Sequence, residues 1–346
     1  MELKVIHGMS EVAGQGINSV TGLRNNNVTS NMVVWRRNPS GYEVDIDLKI
    51  KKDILKMPFY GFKMFCFCIK AWTKYNVLHS HFGYSLLPFG LDLKVDKLLG
   101  MKVFAEFHGS DIRWAYKEKE YKYLENYTIT VNKQKRQKRL NRLIINADGI
   151  ILHDYELIEH LPNISKPVYI VPLRIDIKKF EPIYSLHRSK PIIVHAPSKR
   201  KIKGTDRILE ALKKVKCDYE LILVEGKTQQ EAFEIYKKAD IIIDQISGGT
   251  YGVLALEAMA LGKPVITYIA EEYRSTFPNE LPIVSAEFDD LHEIVSDLLA
   301  DSNKRTLIGK AGRKYVERYH DADKVAYYLK KIYEGTIEDN NLFNLL

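Results

Sequence analysis

The sequence predicts an α/β protein built from two doubly wound domains, and three observations predict it. Short β-branched runs alternate with helical stretches along nearly the whole chain, the pattern of parallel strands joined by crossover helices. The length of 346 residues exceeds one ordinary core and suits two domains of about 150 residues each. Glycine-containing turns follow several strands, as where a sheet of this kind opens its strand ends to a ligand.

In the first half the predicted strands are LKVIH (3–7), MVVW (32–35), NVLHSH (76–81), KVFAEF (102–107), GIILH (149–153) and YIV (169–171). In the second half they are IIVHAP (192–197), ELILVE (220–225), DIIID (240–244), PVITY (264–268) and PIVS (282–285). Each is a short apolar run rich in branched side chains and bounded by polar or glycine-containing turns. The polar stretch EPIYSLHRSK, within 176–190, marks the boundary, so residues 1–180 form an N-terminal and 181–320 a C-terminal Rossmann-like domain. A helical stretch runs from about 289 to 335, and residues 321–346 form a tail expected to pack back on the N-terminal domain. Two doubly wound domains facing across a cleft would bind a ligand beyond the carboxyl ends of their strands.

Composition is that of a soluble globular protein, with 45% hydrophobic and 28% charged residues. The three cysteines, Cys66, Cys68 and Cys217, lack neighbouring metal-ligand patterns, so a reducing compartment and no structural metal are expected. The N-terminus has no secretion-signal pattern, and the apolar run 57–72 is interrupted by Lys63 and Lys70 and is too short to span a bilayer. A cytoplasmic protein, able to touch the inner membrane face, is expected. Residues 1–180 hold 28 Lys and Arg against 18 Asp and Glu, while the remainder holds 24 against 26. An excess confined to one half points to an anionic surface or substrate there. Its densest cluster is Lys133, Lys135, Arg136, Lys138, Arg139 and Arg142. That cluster reads as a solvated helix face, as a patch for anionic lipid, or, least favoured, as a nucleic-acid surface; no nucleic-acid recognition motif accompanies it.

The chemistry-bearing stretch is GGTYGVLALEAMALGKPVI, from Gly248 to Ile266. A glycine-rich helix start offers free N–H groups to phosphate, here from Gly249, Thr250, Tyr251, Gly252, Val253 and Leu254. Glu257 lies about 7 Å further along the helix, a spacing that lets a carboxylate accept two hydrogen bonds from a ribose diol. The alternative is a surface glutamate on an ordinary crossover helix. Gly14 and Gly16, after the first strand, let backbone approach phosphate or sugar, or make a tight turn; the nicotinamide fingerprint is incomplete there. His79 and His81 share one face of their strand and read as hydrogen-bonded residues rather than metal ligands, since a third ligand is missing locally. His108 opens the turn His108-Gly109-Ser110-Asp111 at a strand end, where it can meet a sugar hydroxyl; Ser110 or Asp111 reads as a helix cap. Ser198, Lys199, Arg200, Lys201 and Lys203 precede a helix beginning near Thr205, where cations would neutralise a diphosphate leaving group. Lys203 is the favoured one, and Lys201 reads as solvated. Lys227, after Glu225-Gly226, is placed to present backbone to a base.

Together these motifs resemble the GT-B glycosyltransferases, specifically the large retaining family numbered four. YGVLALEAMALGKPVI is similar to that family's signature of an acid, a Glu eight residues later, Ala-Met-Ala and Gly-x-Pro-Val. VPLRIDIKKFEP at 171–182 looks like its inter-domain motif, and HGSD, Lys203-Gly204 and Ala239-Asp240 fall in the family's order. The resemblance implies a retaining, metal-independent transferase without cofactor, taking a nucleotide-diphosphate sugar in the C-terminal domain. It implies a glycan or lipid-linked acceptor, of the kind used in surface polysaccharide or glycoconjugate synthesis, in the N-terminal domain. It implies Glu257 on the ribose, Lys203 with Lys199 or Arg200 on the diphosphate (the usual arginine position aligning with Ser198), and backbone near Lys227 on the base. His108 becomes the cleft histidine, and Gly14 and Gly16 the N-terminal glycine loop; His108, Lys203 and Glu257 form the catalytic set. Counting eight back from Glu257 gives Gly249, so the family's first acid, which touches the transferred sugar, is absent. A nucleotide-sugar epimerase of the same architecture and a non-catalytic sugar-nucleotide binder are the alternatives.

Overall fold

The computed structural model describes residues 2–36, 41–51, 53–113, 133–184 and 187–346. Among these, residues up to 113, 133–176 and 322–346 form one compact unit, and those from 177 to 321 a second. The division falls after Asp176, and the last 25 residues are part of the first unit.

The first unit is a seven-stranded sheet in the order β3-β2-β1-β4-β5-β6-β7, every described pair parallel. Its strands are β1 (Lys4–Gly8), β2 (Thr29–Val34), β3 (Ile46–Asp47), β4 (Val77–His81), β5 (Lys102–Glu106), β6 (Gly149–Leu152) and β7 (Val168–Ile170). The second unit is a parallel four-stranded sheet ordered β11-β10-β8-β9, from β8 (Ile192–His195), β9 (Glu220–Leu223), β10 (Ile241–Ile243) and β11 (Val265–Ile266). Strand order reverses beside β1 and beside β8, which makes the carboxyl ends of β1/β4 and of β8/β10 the natural crevices.

Crossover helices in the first unit are α1 (Gln15–Asn25), α2 (Met57–Lys74), α3 (Leu93–Leu98) and α4 (Lys133–Asn146). The second carries α5 (Arg200–Lys203), α6 (Thr205–Leu212), α7 (Gln229–Tyr236), α8 (Val253–Ala260), α9 (Glu271–Arg274), α10 (Leu291–Ala300) and α11 (Ser302–Tyr319). Local chemistry sets several starts: Thr228 and Glu231 form a reciprocal capping box on α7, and the Asp301 carboxylate accepts the Lys304 N–H of α11.

The chain then returns to the first unit as α12 (Ala322–Glu334), which lies against α1. Gly22 permits that approach, because a Cβ there would stand 2.2 Å from the Ala322 carbonyl oxygen. Leu23, Val77, Phe104, Val325 and Leu329 fill the core beneath this pair. The second core gathers Ile193, Ile208, Ile241, Ile266, Leu291 and Leu298. Each such side chain contributes about 1.5–3 kcal/mol by burial, so Leu329→Ala would cost about 2–5 kcal/mol.

Two strand expectations are corrected. The run 282–285 forms only the isolated bridge Ile266 to Val284, and the strand expected at 264–268 shortens to Val265–Ile266. At this edge the Ser285 side chain, instead of a backbone ladder, takes the Ile269 N–H at 3.0 Å. β3 escaped the sequence reading because two residues carry no periodic signal. No helix of the described residues is long and apolar enough to cross a membrane.

Candidate active site

In the second unit the expected residues gather at the ends of β8 and β10. Gly204 holds a left-handed φ of 73° between α5 and α6, which turns Lys203 inward. Lys203 Nζ donates to Asp244 Oδ1 at 2.7 Å and to Gln245 Oε1 at 3.1 Å, and its side chain is mostly buried. The other Asp244 oxygen accepts the Gly252 N–H at 3.3 Å. A Cβ on Gly252 would lie 3.8 Å from Lys203 Nζ, so this ammonium stands beside the start of α8. Among the described residues no side chain caps α8, and its first N–H groups, on Val253 and Leu254, have no acceptor within the helix. A lysine, a positive helix end and half-buried backbone at Gly252, Val253 and Leu254 make an anion site.

Glu257 is buried one turn beyond, and Gln229 Nε2 donates to its Oε1 at 3.2 Å. Burial lifts its carboxyl to about 7, with the Asp244 charge adding to the effect. This carboxyl is therefore an acceptor short of donors, suited to a diol that brings two.

The neighbouring expectations separate. Thr250 and Tyr251 are buried, and the Tyr251 hydroxyl lies 3.2 Å from both Tyr315 Oη and His320 Nε2. Tyr251 also packs on Phe277, so its side chain belongs to the interior. The Thr250 carbonyl accepts from Gln245 Nε2. Gly249 has φ 77°, its carbonyl accepts the Ala270 N–H at 2.9 Å, and an added Cβ would meet Ala270 Cβ at 3.2 Å. Ser198, Lys199 and Lys201 are exposed on the loop and the first turn of α5. Arg200 makes a bidentate pair with Glu225 at 2.8 and 2.7 Å. That exposed pair joins the loops after β8 and β9, while Lys203 is the cation beside the helix start. Lys227 is exposed beyond Glu225.

In the first unit the Ile17 N–H donates to Glu11 Oε2 at 2.8 Å, and the backbone at Gly14 and Gly16 lies beside the same buried carboxyl. The start of α1 thus faces a carboxyl of its own chain. Burial raises Glu11 to about 7 against those donors.

The β1/β4 crevice holds a histidine cluster. His7 Nδ1 lies 3.0 Å from His81 Nε2, His81 Nδ1 lies 3.0 Å from His108 Nε2, and His108 Nδ1 lies 2.9 Å from His153 Nε2. His79 Nδ1 meets the Tyr333 hydroxyl at 2.5 Å and its Nε2 lies 2.8 Å from Glu106 Oε2. Arg174 clamps the Glu106 carboxylate at 2.7 and 2.5 Å and donates to Ser19 Oγ at 2.5 Å. Burial opposes the Glu106 charge, but Arg174 and the surrounding rings hold its carboxyl well below the usual range. Burial pushes His108 down to about 4, so the ring is neutral at ordinary pH. Both ring nitrogens of His108 are engaged by other imidazoles. Its N–H donates to Asp111 Oδ1 at 3.0 Å, closing the turn; the helix expected to follow lies outside the described residues.

His79 and His81 are hydrogen-bonded strand-end residues, and His7 supplies the third ring that the local sequence lacked. His7, His79 and His81 each offer an atom within 4.8 Å of the others, as do His81, Glu106 and His108. His7, Glu106, His153, Arg174, Gln229, Asp244 and Gln245 were missed by the sequence reading. A charged or imidazole residue at or just after a strand end was the available signal for most of them.

The first unit also carries an open pocket beside the 3-10 turn Pro88–Gly90, lined by Trp35, Tyr84, Phe89 and Arg139 among others. The Arg139 guanidinium stacks over Tyr84 at 4.3 Å. Of the basic cluster on α4, Arg136 is buried and donates to the carbonyls of Asp111 and Ser110, and Arg142 donates to that of Phe89. Half of the cluster therefore braces the domain.

Residues 206–331 match the glycosyl transferase-like family model. No curated protein matches the sequence. Among solved structures, a sucrose-phosphate synthase from Thermosynechococcus elongatus aligns with a TM-score of 0.72 at 16% identity, over 97% of this chain and 99% of that one. HepE of Anabaena in complex with UDP-glucose aligns at 0.66 and 10% identity, over 97% and 100%. A putative UDP-N-acetylglucosamine 2-epimerase from Listeria monocytogenes aligns at 0.55 and 15%, over 97% and 98%. At these identities the likeness is one of fold. The chain has the two-domain Rossmann-like fold of the GT-B glycosyltransferases, and its residues 206–331 are glycosyl transferase-like.

Proposed function

We propose that this protein is a retaining glycosyltransferase that moves a sugar from a nucleotide-diphosphate sugar to a hydroxyl of a glycan or lipid-linked acceptor. The observation that carries the reading is the Lys203 ammonium beside the uncapped start of α8, one helical turn before the buried Glu257. Diphosphate oxygens fit the ammonium and the Val253 and Leu254 N–H groups, while the ribose diol donates to Glu257. HepE shares the fold and was solved with UDP-glucose, so a uridine diphosphate sugar is the first donor to test.

The transfer runs on the donor's own leaving group. The anomeric C–O bond to the diphosphate breaks as the acceptor oxygen bonds to the same face, and the departing phosphate oxygen takes the acceptor proton. Lys203 and the helix N–H groups stabilise the charge that develops there, the part a divalent cation would otherwise play, so turnover persists in chelator. Three free cysteines support a reducing, cytoplasmic compartment.

A panel of nucleotide-diphosphate sugars is screened by thermal shift, and the best binder is incubated with and without acceptors of both classes. Acceptor-dependent product that keeps the anomeric configuration is expected. Isomerised sugar nucleotide without acceptor would instead make the protein an epimerase, and binding without turnover across both acceptor classes would make it a donor-binding protein.

A further inference from the structure

The glycosyl-transfer reading leaves the outer face of α2 unexplained. The helix buries Tyr60, Met64, Phe67, Cys68 and Ala71, spaced by four, three, one and three residues, which is one complete inward face. Its opposite face is apolar too: Phe59 is 62% exposed, Phe62 67%, Phe65 50% and Ile69 45%. The turn entering the helix continues the strip, with Ile54 and Leu55 at 88% and 92%. A helix apolar on both sides belongs to a buried core or to a membrane, and α2 has only one side covered by its own domain.

Charge decides what covers the other. At about 100° per residue, Lys63, Lys70 and Lys74 fall together along one flank of the exposed strip. Lys56 stands at the helix entrance, and residues 54–75 contain no Asp or Glu. Lysines beside an aromatic strip let the rings enter the acyl boundary while the ammonium groups stay among anionic headgroups. A second copy of the chain would bring two lysine flanks together, which like-charge repulsion disfavours. The helix is held in place, with Trp72 Nε1 donating to Asp96 Oδ1 at 2.6 Å, so it presents this strip without unfolding.

We propose that α2 is a monotopic membrane-docking helix that seats Phe59, Phe62, Phe65 and Ile69 in an anionic lipid leaflet. The sequence offered the 133–142 cluster as a lipid patch, second to a solvated helix face; within it Arg136 and Arg142 donate to internal carbonyls. The proposal is independent of which sugar the protein transfers.

The test is co-sedimentation of the full chain with phosphatidylcholine vesicles, with and without phosphatidylglycerol. Binding to the anionic vesicles is expected, weakening as salt rises. F62S/F65S and, separately, K63E/K70E should each lower partitioning about tenfold or more. Melting temperature and UDP-induced thermal shift, read in parallel, confirm that each variant is folded and that donor binding is intact. Absence of wild-type binding, or equal binding by folded variants, overturns the proposal. So does a dimer in light scattering that F62S/F65S dissolves, since the strip would then cover a second copy.

Discussion

Replacing Glu257 by Gln tests the donor site most directly, because two readouts move in opposite directions. Burial raises this carboxyl from 4.5 to about 7, so the folded protein keeps its proton to a higher pH than the unfolded chain does. The folded state binds the extra proton between those values. Stability therefore falls as pH rises through that window, and the loss is complete above pH 7. Two and a half units correspond to about 3 kcal/mol, an upper figure for what ionised Glu257 costs the apo fold. The Gln variant should melt higher than the parent at pH 8 and nearly equally at pH 4.5. Other buried carboxyls, Glu11 and Asp96, are raised in the same sense, so the difference between parent and variant isolates this one.

Ligand binding reverses the sign. A ribose diol donates two hydrogen bonds and so favours the carboxylate; losing the charged acceptor should cost about 2–3 kcal/mol, roughly 30- to 150-fold in UDP affinity at pH 8. Parent affinity should weaken below pH 7, where the carboxyl must first release its proton. Calorimetry with UDP at pH 6, 7 and 8, in buffers of different ionisation enthalpy, reads both the affinity and the released proton. A variant that binds UDP as tightly as the parent, with no proton released by either, would refute the assignment of Glu257 to the ribose.

Other substitutions report on the remaining parts of the two units. Lys203→Ala removes the ammonium from Asp244 and from the α8 start; UDP affinity should drop at least tenfold while the melting temperature falls, checked by the same calorimetry and thermal scans. Arg174→Met leaves Glu106 buried without its guanidinium and should cost about 3–5 kcal/mol in denaturant unfolding of the first unit, whereas Arg200→Ala, on an exposed pair with Glu225, should leave stability nearly unchanged. Gly249→Glu restores the acid of the family pattern but forces a side chain onto a left-handed backbone beside Ala270. It should destabilise the second unit by about 1–3 kcal/mol without improving turnover, measured by melting and by product formation.

Gly249 also marks the limit of what residue patterns express. The glycine-rich start, Glu257 and Lys203 were legible because each sits at a fixed offset from a strand end or a helix start. The absent acid put sugar choice in question, while the backbone donors that remain favoured activity. In three dimensions the position has φ 77°, and a Cβ there would stand 3.2 Å from Ala270 Cβ. Arg200 and Glu225 illustrate the converse. Both carry charge in suitable loops, and their pairing across 25 residues lies outside any local window. The histidine cluster was half legible: His79 and His81 declared a shared face through period-two spacing. His7 and Glu106 joined them only because β1, β4 and β5 lie side by side, and Arg174 reaches Glu106 from the segment after β7, which no local window contains. Strands read well where five or six branched residues repeat, and poorly at β3 and around 282–285, where an edge needs only one or two bonds.

The contrast between the two helix starts gives a physical reason to assign the proposed donor to the second unit. Both α1 and α8 begin at glycine, at a strand-order reversal, with the positive end of the helix facing the crevice. At α1 the chain supplies its own anion, Glu11, six residues before the N–H it accepts, and buries it. A phosphate arriving there would have to displace a buried carboxyl that already accepts the Ile17 N–H. At α8 no carboxylate caps the helix; Asp244 takes only the Gly252 N–H, and Lys203 balances its charge. An incoming diphosphate can gain Val253, Leu254 and the Lys203 ammonium without expelling a bonded anion from the helix start. The same motif, glycine before a helix, is thus closed in one unit and open in the other, and a single glutamate makes the difference.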